Sequence, residues 1–296
     1  MARFGAVVTA MVTPFQPDGS LDEPATDRLA RWLVEHGSDA LVLAGTTGES
    51  AVLTDEERIR LFEVVRAAVD VPLIAGSTTN DTAHSVDMTR AAAEAGMDAV
   101  LAVVPYYNKP PQSGLEAHFR AVAEASDLPV MLYDVPGRTG RKLEVETIVR
   151  LAREVPTVVA LKDASGIPSQ TARLLAEAPE GFEVYSGDEP LNLAFAAYGA
   201  VGVVGVATHW SGRQQAELWA AAAAGDFATA RQVNTSLLAS FAYMNTDDCV
   251  FSQAVKVAMG LLGVPVGECR LPIGPPPADT AARARPVLEA LGYALA

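Results

Sequence analysis

Eight short runs of apolar, largely β-branched residues recur along the chain, at 6–12, 40–44, 71–75, 99–104, 129–133, 158–161, 182–185 and 201–206. They are continuous rather than alternating, which is how strands covered on both faces read. Between them lie stretches rich in Ala, Leu, Glu and Arg with a 3.6-residue period. The stretch at 54–68 opens on a capping box, Thr54 with Glu57. Strand then helix, eight times over, predicts an α/β fold of the (β/α)8 TIM-barrel type. A weak internal echo supports the repeat: Glu35-His36-Gly37-Ser38-Asp39-Ala40-Leu41 against Glu94-Ala95-Gly96-Met97-Asp98-Ala99-Val100, glycine ending a helix before the next strand begins. A doubly wound open sheet is the competing architecture, but no run is followed by a G-x-G-x-x-G turn.

Beyond 210 the strands stop. Helical periodicity continues at 213–224, 227–242, 251–262 and 279–295, with Gly274-Pro275-Pro276-Pro277-Ala278 cutting off the last stretch. The expected organisation is a barrel core over 1–210 and a C-terminal helical appendage over 211–296, packed on the barrel or on a neighbouring subunit.

A formal net charge of -14 argues against nucleic acid or an anionic membrane as partner, because both repel such a surface. No apolar run approaches the roughly 18 residues of a membrane span, and residues 1–14 lack a basic region followed by a long apolar stretch, so a cytoplasmic location is expected. Two cysteines, Cys249 and Cys269, make neither a disulfide framework nor a zinc set. His36, His84, His118 and His209 lie scattered, and no metal is expected.

Barrel enzymes build their sites at the C-terminal ends of the strands, so the residues just after each run matter most. Here they are Gly45-Thr46-Thr47-Gly48-Glu49-Ser50, Pro105-Tyr106-Tyr107-Asn108, Tyr133-Asp134-Val135-Pro136-Gly137-Arg138, Lys162-Asp163-Ala164, Ser186-Gly187-Asp188 and Gly202-Val203-Val204-Gly205. Of only four lysines, Lys162 alone directly follows a buried run. Desolvation there disfavours the ammonium and frees an amine able to attack a carbonyl. A structural lysine paired with Asp163 or a neighbouring carboxylate is the alternative. Schiff-base chemistry also needs a proton shuttle, and Tyr133, one strand earlier at matching height, is the candidate; a rim aromatic that only packs is its alternative. Thr46 and Thr47 offer hydroxyls and N–H groups to a carboxylate, although G-T-T-G is also a plain tight turn. Arg138 offers a planar fork for a carboxylate, against the background of ordinary surface arginines.

In these segments, and over essentially its whole length, the chain resembles the dihydrodipicolinate synthases, pyruvate-dependent class I aldolases of lysine and diaminopimelate biosynthesis. The resemblance implies a Schiff base between Lys162 and pyruvate, with no other cofactor, and a proton relay of Tyr133, Thr46 and Tyr107. It implies that Tyr107 crosses a tight dimer interface in a homo-oligomer, a tetramer of such dimers. Thr47 would hold the pyruvate carboxylate and Arg138 that of aspartate semialdehyde, with Gly187 and Val204 lining the pocket through backbone groups. The doubled threonine and Arg138 separate these synthases from the sialic acid lyases and sugar-acid aldolases of the same superfamily. The chain departs from the pattern in two places. Val250-Phe251-Ser252-Gln253-Ala254-Val255-Lys256 stands where many members carry Asn-Pro-x-Pro-x-Lys, and Asp134 where asparagine is common.

Lysine-sensitive members bind L-lysine in a cleft at the dimer interface. That cleft keeps Ser50, Ala51, Asn80 and Tyr106 here, but His84 replaces the glutamate that pairs with the ammonium, and Asp55 and Arg58 replace two histidines. Inhibition by lysine is therefore expected to be weak or absent, with Asp55 facing solvent at its helix N-terminus. Three other readings compete: a pyruvate-dependent aldolase of 2-oxo-3-deoxy sugar acids or hydroxy-oxo acids, a catalytically silent sensor or scaffold barrel, and a phosphate-handling isomerase.

Overall fold

A computed structural model describes residues 2–244 and 246–295. Eight parallel strands close into a barrel in sequence order: β1 (Val7–Ala10), β2 (Ala40–Leu43), β3 (Leu73–Gly76), β4 (Ala99–Val103), β5 (Val130–Asp134), β6 (Val158–Asp163), β7 (Glu183–Ser186) and β8 (Gly202–Gly205), with β8 pairing back to β1. The expected barrel is the observed one. Helices intervene: α1 (Glu23–Glu35), α2 (Asp55–Ala68), α3 (Thr82–Glu94), α4 (Gln112–Ala123), α5 (Pro136–Thr139), α6 (Val145–Glu154), α7 (Ser169–Glu177), α8 (Asn192–Ala197) and α9 (Thr208–Ala223). The capping box at Thr54 is formed in both directions, and three acidic residues in the first turn of α2 complement the helix dipole.

Strand geometry decides which side chains reach the barrel interior. Successive residues alternate faces, so Val8, Val42, Ile74, Leu101, Met131, Ala160 and Val204 pack inside the barrel, while neighbours such as Leu41, Leu73, Val100, Leu132 and Leu161 pack outward under the helices. Tyr133 follows Met131 by two positions and Lys162 follows Ala160 by two. Both therefore point inward at the C-terminal end.

The remaining helices are α10 (Phe227–Ser236), α11 (Leu238–Met244), α12 (Phe251–Leu261) and α13 (Thr280–Ala290). The expected helix at 227–242 is two helices, because the chain breaks at Leu237. The position between 210 and 211, where periodicity alone divides barrel from appendage, falls inside α9 beside a kink at Ser211 (φ -117, ψ 18). No helix among the described residues is long and apolar enough to cross a membrane.

Candidate active site

A cavity of about 200 Å³ opens at the C-terminal end of the barrel, lined by Thr46, Thr47, Tyr133, Arg138, Lys162, Gly187, Glu189, Val204 and Phe251, among others. Seven of the eight residues singled out from sequence or family resemblance meet there. Tyr107 does not line this cavity. It is 88% exposed, in the left-handed region at φ 72, and borders an adjoining groove of about 350 Å³ that shares Thr46 and Arg138 with the cavity.

Lys162 is 6% exposed and stands at the end of β6 in register with Tyr133 on one side and Tyr185 on the other. Its Nζ lies 4.2 Å from the centroid of the Tyr133 ring. Burial pushes its pKa down to about 8; Glu189 opposes the shift and Arg138 adds to it. A lysine so placed holds far more free amine near neutral pH than a solvated lysine does. The Tyr133 hydroxyl is within hydrogen-bonding reach of Thr46, and burial holds its pKa above the usual phenol value while Arg138 pulls the other way. Phenol, threonine hydroxyl and amine thus share one cavity. Gly187 is required by close approach: a Cβ there would lie 3.0 Å from Lys162 Cγ and 2.9 Å from Ala164 Cβ.

The Gly45–Ser50 turn is strained, with Ala44 and Glu49 both at positive φ (51 and 58). What holds it comes from the far end of the chain. Ser252 Oγ donates to the Thr47 carbonyl (3.0 Å), and the Lys256 ammonium makes an ion pair with Glu49 (2.7 Å), the two side chains 3% and 0% exposed. The Arg270 N–H donates to Glu49 (2.9 Å), and Lys256 also donates to the Glu268 carbonyl. Phe251 carries the Arg138 guanidinium on its ring face, 4.6 Å to the centroid. The altered segment 250–256 is therefore a wall of the cavity and a brace for its threonine turn. Sequence places Lys256 within the helical stretch at 251–262 and does not reveal this. The lysine that ends the usual motif was the available signal.

Asp134 is explained by Lys142, whose ammonium pairs with it at 2.7 Å, while the Leu143 N–H donates to its other oxygen. Burial still holds the Asp134 carboxyl above its ordinary pKa, with Lys142 opposing. The histidines serve separate places: His36 stacks on Trp32, His84 meets Asp55, His118 meets Thr82, and His209 accepts from the Val12 N–H. Both cysteines are buried and free. Glu189, one residue beyond the Ser186-Gly187-Asp188 segment, is a buried carboxylate in the cavity that sequence reading missed.

A closed eightfold barrel with a desolvated amine, a phenol and a hydroxyl at its catalytic end defines a lyase of the barrel-aldolase class. Residues 3–291 match the dihydrodipicolinate synthetase family. The chain is 45% identical over 296 residues to the 4-hydroxy-tetrahydrodipicolinate synthase of Thermosynechococcus vestitus, covering 99% of each, and 46% identical over 295 residues to that of Acidothermus cellulolyticus, covering 99% of this chain and 94% of the other. It is also similar to the solved dihydrodipicolinate synthase of Cyanidioschyzon merolae with lysine bound, at a TM-score of 0.94 and 41% identity over 99% of both chains. The chain belongs to the dihydrodipicolinate synthetase family.

Proposed function

We propose that this chain condenses pyruvate with L-aspartate 4-semialdehyde to 4-hydroxy-tetrahydrodipicolinate, in lysine and diaminopimelate biosynthesis, through a Schiff base on Lys162. The observation that carries the reading is Lys162 itself, buried at the end of β6 and in register with Tyr133. Its free amine adds to the pyruvate carbonyl, and the resulting hydroxyl leaves as water to give the iminium. Tyr133, with Thr46 behind it, moves the protons these steps require. The Thr47 hydroxyl and backbone serve the pyruvate carboxylate, Gly187 leaves room for the adduct, and Val204 supplies an apolar floor. No cofactor is needed beyond the covalent adduct. A coupled assay separates the substrate readings: turnover with pyruvate plus aspartate semialdehyde supports the proposal, and pyruvate release from 2-oxo-3-deoxy sugar acids without that condensation contradicts it.

Arg138 faces the cavity mouth with its planar group stacked on Phe251, a pose suited to gripping the aldehyde's carboxylate. Charge-assisted hydrogen bonds of this kind are worth about 1.5–3 kcal/mol. Arg138→Ala is then expected to raise the KM for aspartate semialdehyde at least about tenfold while moving that for pyruvate little. Equal effects on the two KM values would assign Arg138 a general structural role.

The enzyme is proposed to work in the cytoplasm as a homo-oligomer, a tetramer of tight dimers in which Tyr107 completes the relay of the neighbouring subunit. A large aromatic left 88% exposed on a strained backbone supports this reading. Mixing inactive Tyr107→Phe and Lys162→Ala chains should restore part of the activity through hybrid sites. No recovery after verified subunit exchange would keep Tyr107 out of its neighbour's site.

Feedback by L-lysine is expected to be weak or absent. Asp55 does not simply face solvent: it is half-buried and turned onto His84, 2.9 Å away. Arg58 lines the groove beside Ser50, Ala51 and Tyr106, buried and donating to the Ser50 carbonyl. The local carboxylate is thus occupied, and a fixed cation repels the lysine ammonium. Initial rates at saturating substrates should hardly respond to millimolar L-lysine. Strong inhibition well below that would show that another acid receives the ammonium.

A further inference from the structure

Glu189 follows β7 at the head of a short 3-10 turn and is 3% exposed. Its Oε2 accepts from the N–H groups of Val206 (2.7 Å) and Ala207 (2.9 Å), which lead from β8 into α9. Its Oε1 meets Gln215 Nε2 at 3.4 Å, and Gln215 is oriented in turn by Asn192 Nδ2 at 2.9 Å. Gly205 makes the seat possible, because a Cβ there would lie 2.7 Å from Oε1. Helix-opening N–H groups are natural partners for a carboxylate. That seat nevertheless buries an ionisable group in the cavity that holds Lys162, at a real desolvation cost. None of the roles assigned above uses it.

We propose that Glu189 is a positioning residue for the reaction: its fixed carboxylate is the counter-charge for the positive nitrogen that Lys162 carries first as ammonium and again as iminium. The proposal rests on the reading of Lys162 as the Schiff-base lysine. A preorganised charge aimed at a developing one lowers the barrier without reorganising during the reaction. The influence is mutual. Burial raises the Glu189 pKa to about 7 against the pull of its N–H partners and Lys162, and Glu189 in turn opposes the desolvation of Lys162. The other charged or titratable groups around the pair differ in kind. Arg138 at the mouth disfavours the ammonium. Burial holds the Asp188 carboxyl above its ordinary pKa, with Asp163 adding to the shift. The Tyr133 phenol is held up by burial. His209 on α9 is pushed down to about 4 by burial and stays neutral. Among them, Glu189 is the carboxylate that both lines the cavity and acts directly on Lys162.

Glu189→Gln keeps an acceptor oxygen for the N–H groups and removes only the charge, so it separates tethering from electrostatics. With the counter-charge gone the ammonium is less stable. The acid limb of kcat/KM for pyruvate should move about one pH unit lower. The plateau should fall about tenfold or more as the iminium loses its partner. Should this variant not fold, the reciprocal titration carries the test: ¹³C NMR of the glutamate Cδ, comparing wild type with Lys162→Ala. Glu189 should titrate higher once the lysine is gone, since coupled sites shift one another equally. A Glu189→Gln limb and plateau matching wild type, or a Glu189 titration indifferent to Lys162→Ala, overturns the proposal. Borohydride trapping of pyruvate on the wild-type enzyme is the control: if it fails, the Lys162 reading falls and this proposal with it, whereas intact trapping beside an unmoved Glu189→Gln profile removes the counter-charge alone.

Discussion

Lys162→Ala is expected to bring turnover to background, and Tyr133→Phe and Thr46→Val to slow it by about 10²-fold or more, the usual scale for a positioned acid or base. Removing the amine removes the nucleophile, and among the described residues no other lysine lines the cavity. Tyr133→Phe is the sharper test, because it keeps the ring against which the Lys162 ammonium packs and deletes only the hydroxyl that Thr46 meets. Folding should survive all three changes, since a desolvated lysine contributes little to stability. The wild-type pH profile should show the same group: kcat/KM for pyruvate rises with pH through about 8, because below that pH the Lys162 amine is increasingly protonated and cannot attack. Wild-type rates in Tyr133→Phe would show that the proton relay runs elsewhere.

The second large effect concerns a residue far from the chemistry. Lys256→Met leaves the Glu49 carboxylate buried with only neutral close partners, the Arg270 N–H and the Cys269 thiol. Breaking a buried ion pair from one side costs about 3–5 kcal/mol, because the orphaned charge stays desolvated. At a few degrees per kcal/mol for a chain of this size, Tm should fall on the order of 10 °C. Activity should fall as well, since Glu49 anchors the turn that presents Thr46 and Thr47. Replacing both partners by neutral groups, Lys256→Met with Glu49→Gln, should recover much of the stability, because the desolvation cost then disappears. A single variant with the wild-type melting point would show that the pair does not brace the turn.

Sequence disclosed the barrel because strands buried on both faces leave an unmistakable run. It misjudged ends wherever polarity and burial part company. The run at 158–161 stops short of a strand that continues through Lys162 and Asp163, since charged residues do not look like strand interior even where the barrel buries them. The same misfit betrays chemistry: Lys162 was visible as a candidate because it is a charge attached to a buried run. Thr46, Thr47, Tyr133 and Arg138 were legible for a related reason, as local clusters at strand ends. The brace was not. Ser252 reaches Thr47 across 205 residues, Lys256 finds Glu49 in the core, and Phe251 meets Arg138 at the cavity mouth. Nothing in their local patterns distinguishes a helix that packs passively from one that closes a site. Glu189 stayed hidden because its partners are backbone N–H groups beyond the next strand.

The most direct measurement is incubation with pyruvate and borohydride, which reduces a Schiff base to a stable secondary amine, followed by mass mapping of the peptides. The account predicts one pyruvate-derived adduct per chain, on Lys162 and not on Lys109, Lys142 or Lys256. An adduct on another lysine, or none on the folded protein, would contradict it.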